Sequence, residues 1–398
     1  MSQSIETTNP PRRDTARMPE RTRISATAGY FVAFVTLGLS AAVMGPTLPA
    51  LAERTHVRLD EISILFATRS LGYLIGSLVG GHAFDRRRGH PIVALMLLIM
   101  AATIALVPVI SSLAILALVL LVLGIAESAV DVGCNSLLIW LYRREVGPWM
   151  NGLHFAFGAG AFLSPIIVAQ VILITGDISW AYWLLALIIL PGVFWLPRLD
   201  SPVPERSLQE KHTGSTPWGT VVLIACFVLL YVGAEGGFGG WIFTYATTLG
   251  LSDAATAAYL TAVFWGALTV GRLLGIPLAA RMTPRAVLFW DMALSIVSIG
   301  MIALWSGSAM ILWVGAVGAG LGMASIYPTM LSFAERRMTI TGQITGWIFL
   351  GAGAGGMIVP WLIGQLFERM GAWVTMYILL ADLGLALVLL AVLAIHRH

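Results

Sequence analysis

Apolar residues in this chain run on for about twenty positions at a time and stop at short polar turns, with neither strict alternation nor a polar face recurring every turn. A helix that crosses a bilayer needs about 20 such residues. Twelve runs qualify, at roughly 25–51, 62–84, 92–110, 112–141, 150–174, 180–197, 218–248, 254–281, 285–305, 309–335, 341–367 and 372–395. The pattern predicts an all-α integral membrane protein of 12 transmembrane helices. One connection is longer than the others. Residues 198–217 hold the only lysine, Lys211, with Ser201, Pro202, Pro204 and Gly214, and mark a boundary between two halves. The expected organisation is a disordered cytoplasmic tail over 1–23, a six-helix bundle over 24–197, a cytoplasmic linker over 198–217 and a second six-helix bundle over 218–398.

The two halves repeat. Gly38 and Gly233, Gly76 and Gly271, Gly80 and Gly275, and Arg86 and Arg281 each lie 195 positions apart. The fifth run reads G-A-G-A-F-L-S-P from Gly158 to Pro165, followed by Gln170; the eleventh reads G-A-G-G-M-I-V-P from Gly353 to Pro360, followed by Gln365, again at an offset of 195. Six helices per copy keep the copies parallel about an axis along the membrane normal, the arrangement of two bundles that rock about a central site.

Composition agrees with a membrane protein: 58% of residues are hydrophobic and 11% charged, where a soluble domain carries about 25% charge. Basic residues set the orientation. Eighteen lie on the side that holds both termini, against Arg54, Arg58 and Arg369 on the other, with Arg69 and Arg272 inside runs. A plasma (inner) membrane location with both termini cytoplasmic follows from that bias. The polar, Arg-rich residues 1–23 lack the apolar core of a signal peptide. Cys134 and Cys226 sit in apolar runs at no metal-ligand spacing and read as small core residues. There is no phosphate-binding glycine loop and no nucleophile–base set, so neither ATP-driven work nor enzyme activity is expected. The net charge of +3 follows from the orientation bias and is no nucleic-acid signal.

Ionisable residues inside the runs are costly and mark candidate chemistry. Glu127, Asp131 and Asn135 follow at i, i+4 and i+8 in the fourth run, so all three share one helix face, which must look into protein or a water-filled cavity. A lone carboxylate there can exchange a proton near neutral pH. Neutral, it lets the cavity reorient across the bilayer; charged, it resists. Arg69 shares the depth of Glu127, which therefore fits a permanent ion pair as well as proton coupling. Glu235 lies midway along the seventh run among Gly233, Gly236, Gly237, Gly239 and Gly240, a loosened stretch that suits a substrate or proton site. His154, three residues after Asn151 in the fifth run, fits either a proton relay or a polar helix contact. Trp241 and Trp265 lie deep in their runs and are candidates to offer an aromatic face to a solute, with core packing as the alternative. Arg272 and Asp291, at similar depth, read as a structural pair. Asp382, mid-way along the last run, has no evident role.

Gly81 to His90 reads G-H-A-F-D-R-R-R-G-H, and with these residues the chain resembles the major facilitator superfamily, whose signature after the second helix carries a glycine, an Asp-Arg and a further glycine. The resemblance implies that Gly81, Asp85 and Arg86 latch the cytoplasmic gate. D-V-G-C-N at Asp131 to Asn135, N-G-L-H-F-A-F-G-A-G-A from Asn151 to Ala161, and Y-V-G-A-E-G-G-F-G-G-W from Tyr231 to Trp241 narrow it to the branch of fucose permeases and sodium-dependent glucose transporters. Thr36, Ser40 and Thr47 stand along the first run, which has no aspartate where fucose permeases carry one. The match implies a proton-coupled symporter of a monosaccharide or similar small polar solute, working by alternating access as a monomer. Proton coupling falls on Asp131, with Glu127 and Glu235 as further candidates. Binding falls on Asn135, Asn151, His154, Glu235, Trp241 and Trp265. Three alternatives stand beside it: proton-antiport export of amphipathic compounds, sodium-coupled sugar uptake with Asp131, Asn135 and Ser136 supplying oxygens, and a non-transporting membrane receptor. No cofactor beyond the coupling ion, H+ or Na+, is expected.

Overall fold

The computed structural model describes residues 19–86, 88–202, 217–338 and 342–395. It contains α1 (Glu20–Thr55), a one-turn helix Leu59–Ile62 leading into α2 (Ile64–Arg86), α3 (Gly89–Leu106), α4 (Leu113–Tyr142), α5 (Val146–Thr175) and α6 (Ser179–Trp195). The second half holds α7 (Trp218–Thr248), α8 (Ala254–Arg281), α9 (Pro284–Leu304), α10 in two pieces (Ala309–Met323 and Ile326–Glu335), α11 (Gly342–Met370) and α12 (Val374–Ile395). Among the described residues twelve helices are long and apolar enough to cross a membrane, and the chain is a multi-pass membrane protein.

Two boundaries differ from the sequence expectation. Residues 20–23, read as tail, form the first turn of α1. The tenth span, read as one helix over 309–335, breaks at Ala324 and Ser325. Pro328 accounts for the break, because it has no N–H for the carbonyl of Ala324 and its ring crowds that carbonyl. Of the linker, residues 203–216 lie outside the description, as do residues 1–18 of the tail. The start of the linker is anchored: Ser201 Oγ accepts from the His90 backbone N–H at 3.0 Å, and the carbonyl of Leu199 is 3.0 Å from His90 Nδ1.

The sequence repeat reappears as repeated packing. In the first half α1 packs on α5, α2 on α4 and α3 on α6; in the second α7 packs on α11, α8 on α10 and α9 on α12. Glycines set the closest approaches. A Cβ at Gly38 would stand 2.0 Å from the Phe157 carbonyl oxygen, and one at Gly160 the same distance from that of Val35. Their equivalents behave alike: a Cβ at Gly355 would stand 1.9 Å from the Leu229 carbonyl oxygen, and one at Gly233 2.4 Å from Val359. In lipid, small residues let helix backbones meet and gain dispersion contacts. Gly160→Ala is therefore expected to lower stability by about 3 kcal/mol through overpacking, read as an earlier thermal unfolding transition. An unchanged transition would mean that α1 and α5 are not in backbone contact.

The halves meet through α5 with α8, α2 with α11 and α1 with α7. Many of these contacts lie at the end opposite the termini. Gln365 Nε2 donates to the Asp60 carbonyl at 2.7 Å, and its repeat equivalent Gln170 donates to the Tyr259 hydroxyl. A Cβ on Gly45 would stand 2.7 Å from the Gly239 carbonyl oxygen. The bundle is closed at that end.

Candidate functional site

Asp131 occupies the middle of α4 on the face set by its spacing from Glu127 and Asn135. It is half-buried, and two neutral donors hold it. The Tyr73 hydroxyl of α2 donates to Oδ2, and Asn135 Nδ2 donates to Oδ1 at 2.8 Å and to the Asp131 carbonyl at 2.9 Å. Among the described residues no cation pairs with it. Tyr327, on the second piece of α10, lies within electrostatic reach of Asp131 from the other half.

Glu127, one turn away, has a different environment. It is 2% exposed. Arg69 of α2 clamps it through Nη2 to Oε1 at 2.7 Å and Nε to Oε2 at 2.9 Å, and Ser40 Oγ of α1 donates to Oε1 at 2.5 Å. Arg69 also donates to the Ser40 and Ala41 carbonyls, each at 3.3 Å. Both oxygens of Glu127 and all three guanidinium nitrogens of Arg69 thus have partners, the condition under which a buried ion pair is tolerated. Two carboxylates on one helix face are left in opposite states: one neutralised, one not.

Glu235 on α7 is half-buried and accepts from the Tyr231 hydroxyl. Arg272 of α8 approaches it, with Nη2 3.9 Å from Oε1. The expected pair of Arg272 with Asp291 does not form. Asp291 instead accepts from Ser325 Oγ at 2.5 Å, because the break in α10 turns that hydroxyl towards α9. The charge of Arg272 reaches His154 of α5 across the halves.

The other sequence candidates are dispersed. His154 is exposed, with its ring edge-on to Phe34 at 5.9 Å, and Asn151 is exposed one turn nearer the terminal end of α5. Trp241 is fully buried at the closed end, where its indole N–H donates to the Pro360 carbonyl at 2.9 Å and its ring lies 5.2 Å from that of Phe367. Trp265 is 9% exposed, and its indole nitrogen has no hydrogen-bond partner among the described residues. The side chains of Gly81, Asp85 and Arg86 lie outside the described residues. Asp382 is buried on α12, with Oδ2 unpartnered among the described residues.

Sequence reasoning missed the tyrosines. Tyr73 lies four residues after Arg69, and Tyr231 four before Glu235. Spacing of four places each on the face of the charged residue, so the signal was present and unused. Tyr327 carried no such signal, since only the fold brings α10 opposite α4.

Comparison with known proteins agrees with this architecture. The family model described as Major Facilitator Superfamily matches residues 30–360. Among curated proteins the chain is similar to sodium-dependent glucose transporter 1A of Mus musculus, with 28% identity over 374 residues, 84% of this chain and 88% of that protein. It is also similar to major facilitator superfamily domain-containing protein 4A of Pongo abelii, with 27% identity over 89% of this chain and 88% of that one. Among solved structures, a bacterial homologue of the human lysosomal transporter Spinster, in an inward-facing and unoccupied conformation, superposes with a TM-score of 0.75 at 12% identity, over 95% of this chain and 96% of the other. The nucleoside transporter NupG gives a TM-score of 0.71 at 13% identity, over 94% of this chain and 100% of the other. A match spanning most of the chain, on twelve helices packed as two repeated sets, makes this chain a member of the Major Facilitator Superfamily, a transport protein and not an enzyme.

Proposed function

We propose that the chain is a proton-coupled symporter of a monosaccharide or a similar small polar solute, working by alternating access, with Asp131 as the residue that takes up and releases the coupling proton. The supporting observation is the contrast on α4: Glu127 is neutralised by Arg69, whereas Asp131, among the described residues, has only the neutral donors Tyr73 and Asn135. An uncompensated carboxylate between two bundles resists burial when charged and accepts it when protonated. Loading a proton on Asp131 is thus the step that permits the bundles, 24–197 and 218–398, to exchange their open and closed ends. With both termini in the cytoplasm, the closed end faces outward and the site loads or empties inward. Asn135, Asn151, His154 and Glu235 supply polar groups for hydroxyls, and the unmet indole N–H of Trp265 is a donor that a solute hydroxyl would satisfy. The names of the glucose-transporting relatives favour a sugar.

Those same names favour a second reading, in which sodium and not the proton is the coupling ion. One measurement separates the two. Proteoliposomes with an internal pH dye are given hexoses and deoxyhexoses outside, first without sodium. Internal acidification dependent on sugar is the expected result. Uptake of labelled sugar that requires sodium and leaves internal pH constant would replace the proton by sodium. No flux of any sugar under either condition would overturn the solute class.

A further inference from the structure

The Tyr231 hydroxyl faces two acceptors and has one proton. It lies within hydrogen-bond distance of Glu235 Oε2 and, at 2.9 Å, of the Met323 carbonyl oxygen. Tyr231 is 1% exposed, so water does not make up the shortfall freely. A phenol donates once. With Glu235 ionised, its carboxylate outcompetes the carbonyl, because charge-assisted bonds are roughly twice as strong, and Met323 is left unmet. With Glu235 protonated, its O–H donates to Tyr231, Tyr231 donates to Met323, and every group in the chain is satisfied.

Met323 is the last residue of the first piece of α10, and its carbonyl is free to accept from Tyr231 because the helix breaks there. The break is held from the other side by Ser325 donating to Asp291. Beyond it, Thr329 N–H bonds the Ser325 carbonyl at 3.0 Å and the second piece carries Tyr327 towards Asp131. The charged groups around this point are Arg272 from α8, at 3.9 Å from Glu235, and Asp291 from α9, which acts on Tyr231. His154 of α5 interacts with Arg272, and α12, packed on α7, carries Asp382.

We propose that Glu235 is a second proton site, distinct from Asp131, whose occupancy is read by the break in α10, with Tyr231 as the positioning residue that passes its hydrogen bond between Glu235 and the Met323 carbonyl. Protonated Glu235 pins the break open. Ionised Glu235 draws the Tyr231 hydroxyl away and frees Met323 to accept the Tyr327 amide, a bond that Pro328, which lacks only its own N–H, leaves available. The position of Tyr327 opposite Asp131 then depends on the proton held in the other half. The use of this device in transport rests on the proton-coupled reading above, but its existence is tested without flux, so either can fail alone.

Hydrogen exchange of the full chain in lipid nanodiscs, with no substrate or gradient, reads the Tyr327 amide from pH 5 to 9 after correction for intrinsic rates. Protection is expected to rise about tenfold towards high pH in the natural protein, the scale of one hydrogen bond gained. Glu235→Gln, whose amide donates to Tyr231 as the protonated acid would, should stay at the low-protection level at every pH. Tyr231→Phe should lose the pH response, and Asp131→Asn should keep it. A flat profile in the natural protein, or an undiminished response in Tyr231→Phe, overturns the proposal.

Discussion

Asp131→Asn is expected to abolish accumulation of solute against its gradient while leaving exchange of solute across the membrane intact. A one-unit pH gradient supports about tenfold accumulation when one proton moves with each solute, since one unit is worth about 1.4 kcal/mol. Asparagine cannot release a proton. It keeps the size of the side chain, with a carbonyl to accept from Asn135 and an amide N–H that can donate to the Tyr73 hydroxyl oxygen, the two groups that hold Asp131 now. The permanently neutral side chain mimics the loaded state, so the bundles still interconvert, and the inside-to-outside ratio should fall to about 1. Counterflow of labelled against unlabelled solute, measured in the same vesicles without a gradient, should stay near the natural rate. Accumulation that survives the substitution would remove the coupling role from Asp131. Loss of counterflow together with accumulation would show that the carboxylate binds solute or holds the fold.

Glu127→Gln is expected to produce the opposite phenotype: a large loss of stability with coupling preserved. The pair is bidentate, Glu127 is 2% exposed, and Ser40 completes its shell. Removing one charge leaves Arg69, whose side chain is 16% exposed, as an uncompensated cation mostly withdrawn from water, a loss on the order of 3 kcal/mol, the lower end for a buried pair. Thermal unfolding in detergent should fall by several degrees, while the proton-to-solute ratio of the surviving protein is unchanged. The double variant Arg69→Gln with Glu127→Gln removes both charges and should recover much of that loss, a coupling that a double-mutant cycle reads directly. If Glu127→Gln unfolds with the natural protein yet no longer couples, the roles of the two α4 carboxylates are exchanged. The two substitutions sit one helical turn apart on one face, so opposite outcomes would separate environment from position.

The sequence by itself determined the twelve spans, the two-copy repeat and the face of α4 that carries Glu127, Asp131 and Asn135. Each is a one-dimensional property: the length of an apolar run, a constant offset, a spacing near the helical period. The repeat even reached the packing, since Gly38 with Gly160 and Gly233 with Gly355 mark equivalent close approaches. A helical face, however, does not say what stands opposite it. Depth along the runs matched Arg69 to Glu127, but only the packing of α2 on α4 closed that pair with both oxygens and brought Tyr73 to Asp131. Arg272 turned to Glu235 because the break in α10 offered Ser325 to Asp291. Pro328 was legible as a helix breaker, yet the apolar run around it hid the interruption, because hydropathy does not register a missing N–H. The depth of Trp241, sealed at the closed end, likewise depended on how the two halves meet. Partners in a bundle are chosen between helices far apart in the chain, by which carbonyls and hydroxyls remain unmet once backbones touch, and only the tertiary structure makes that choice.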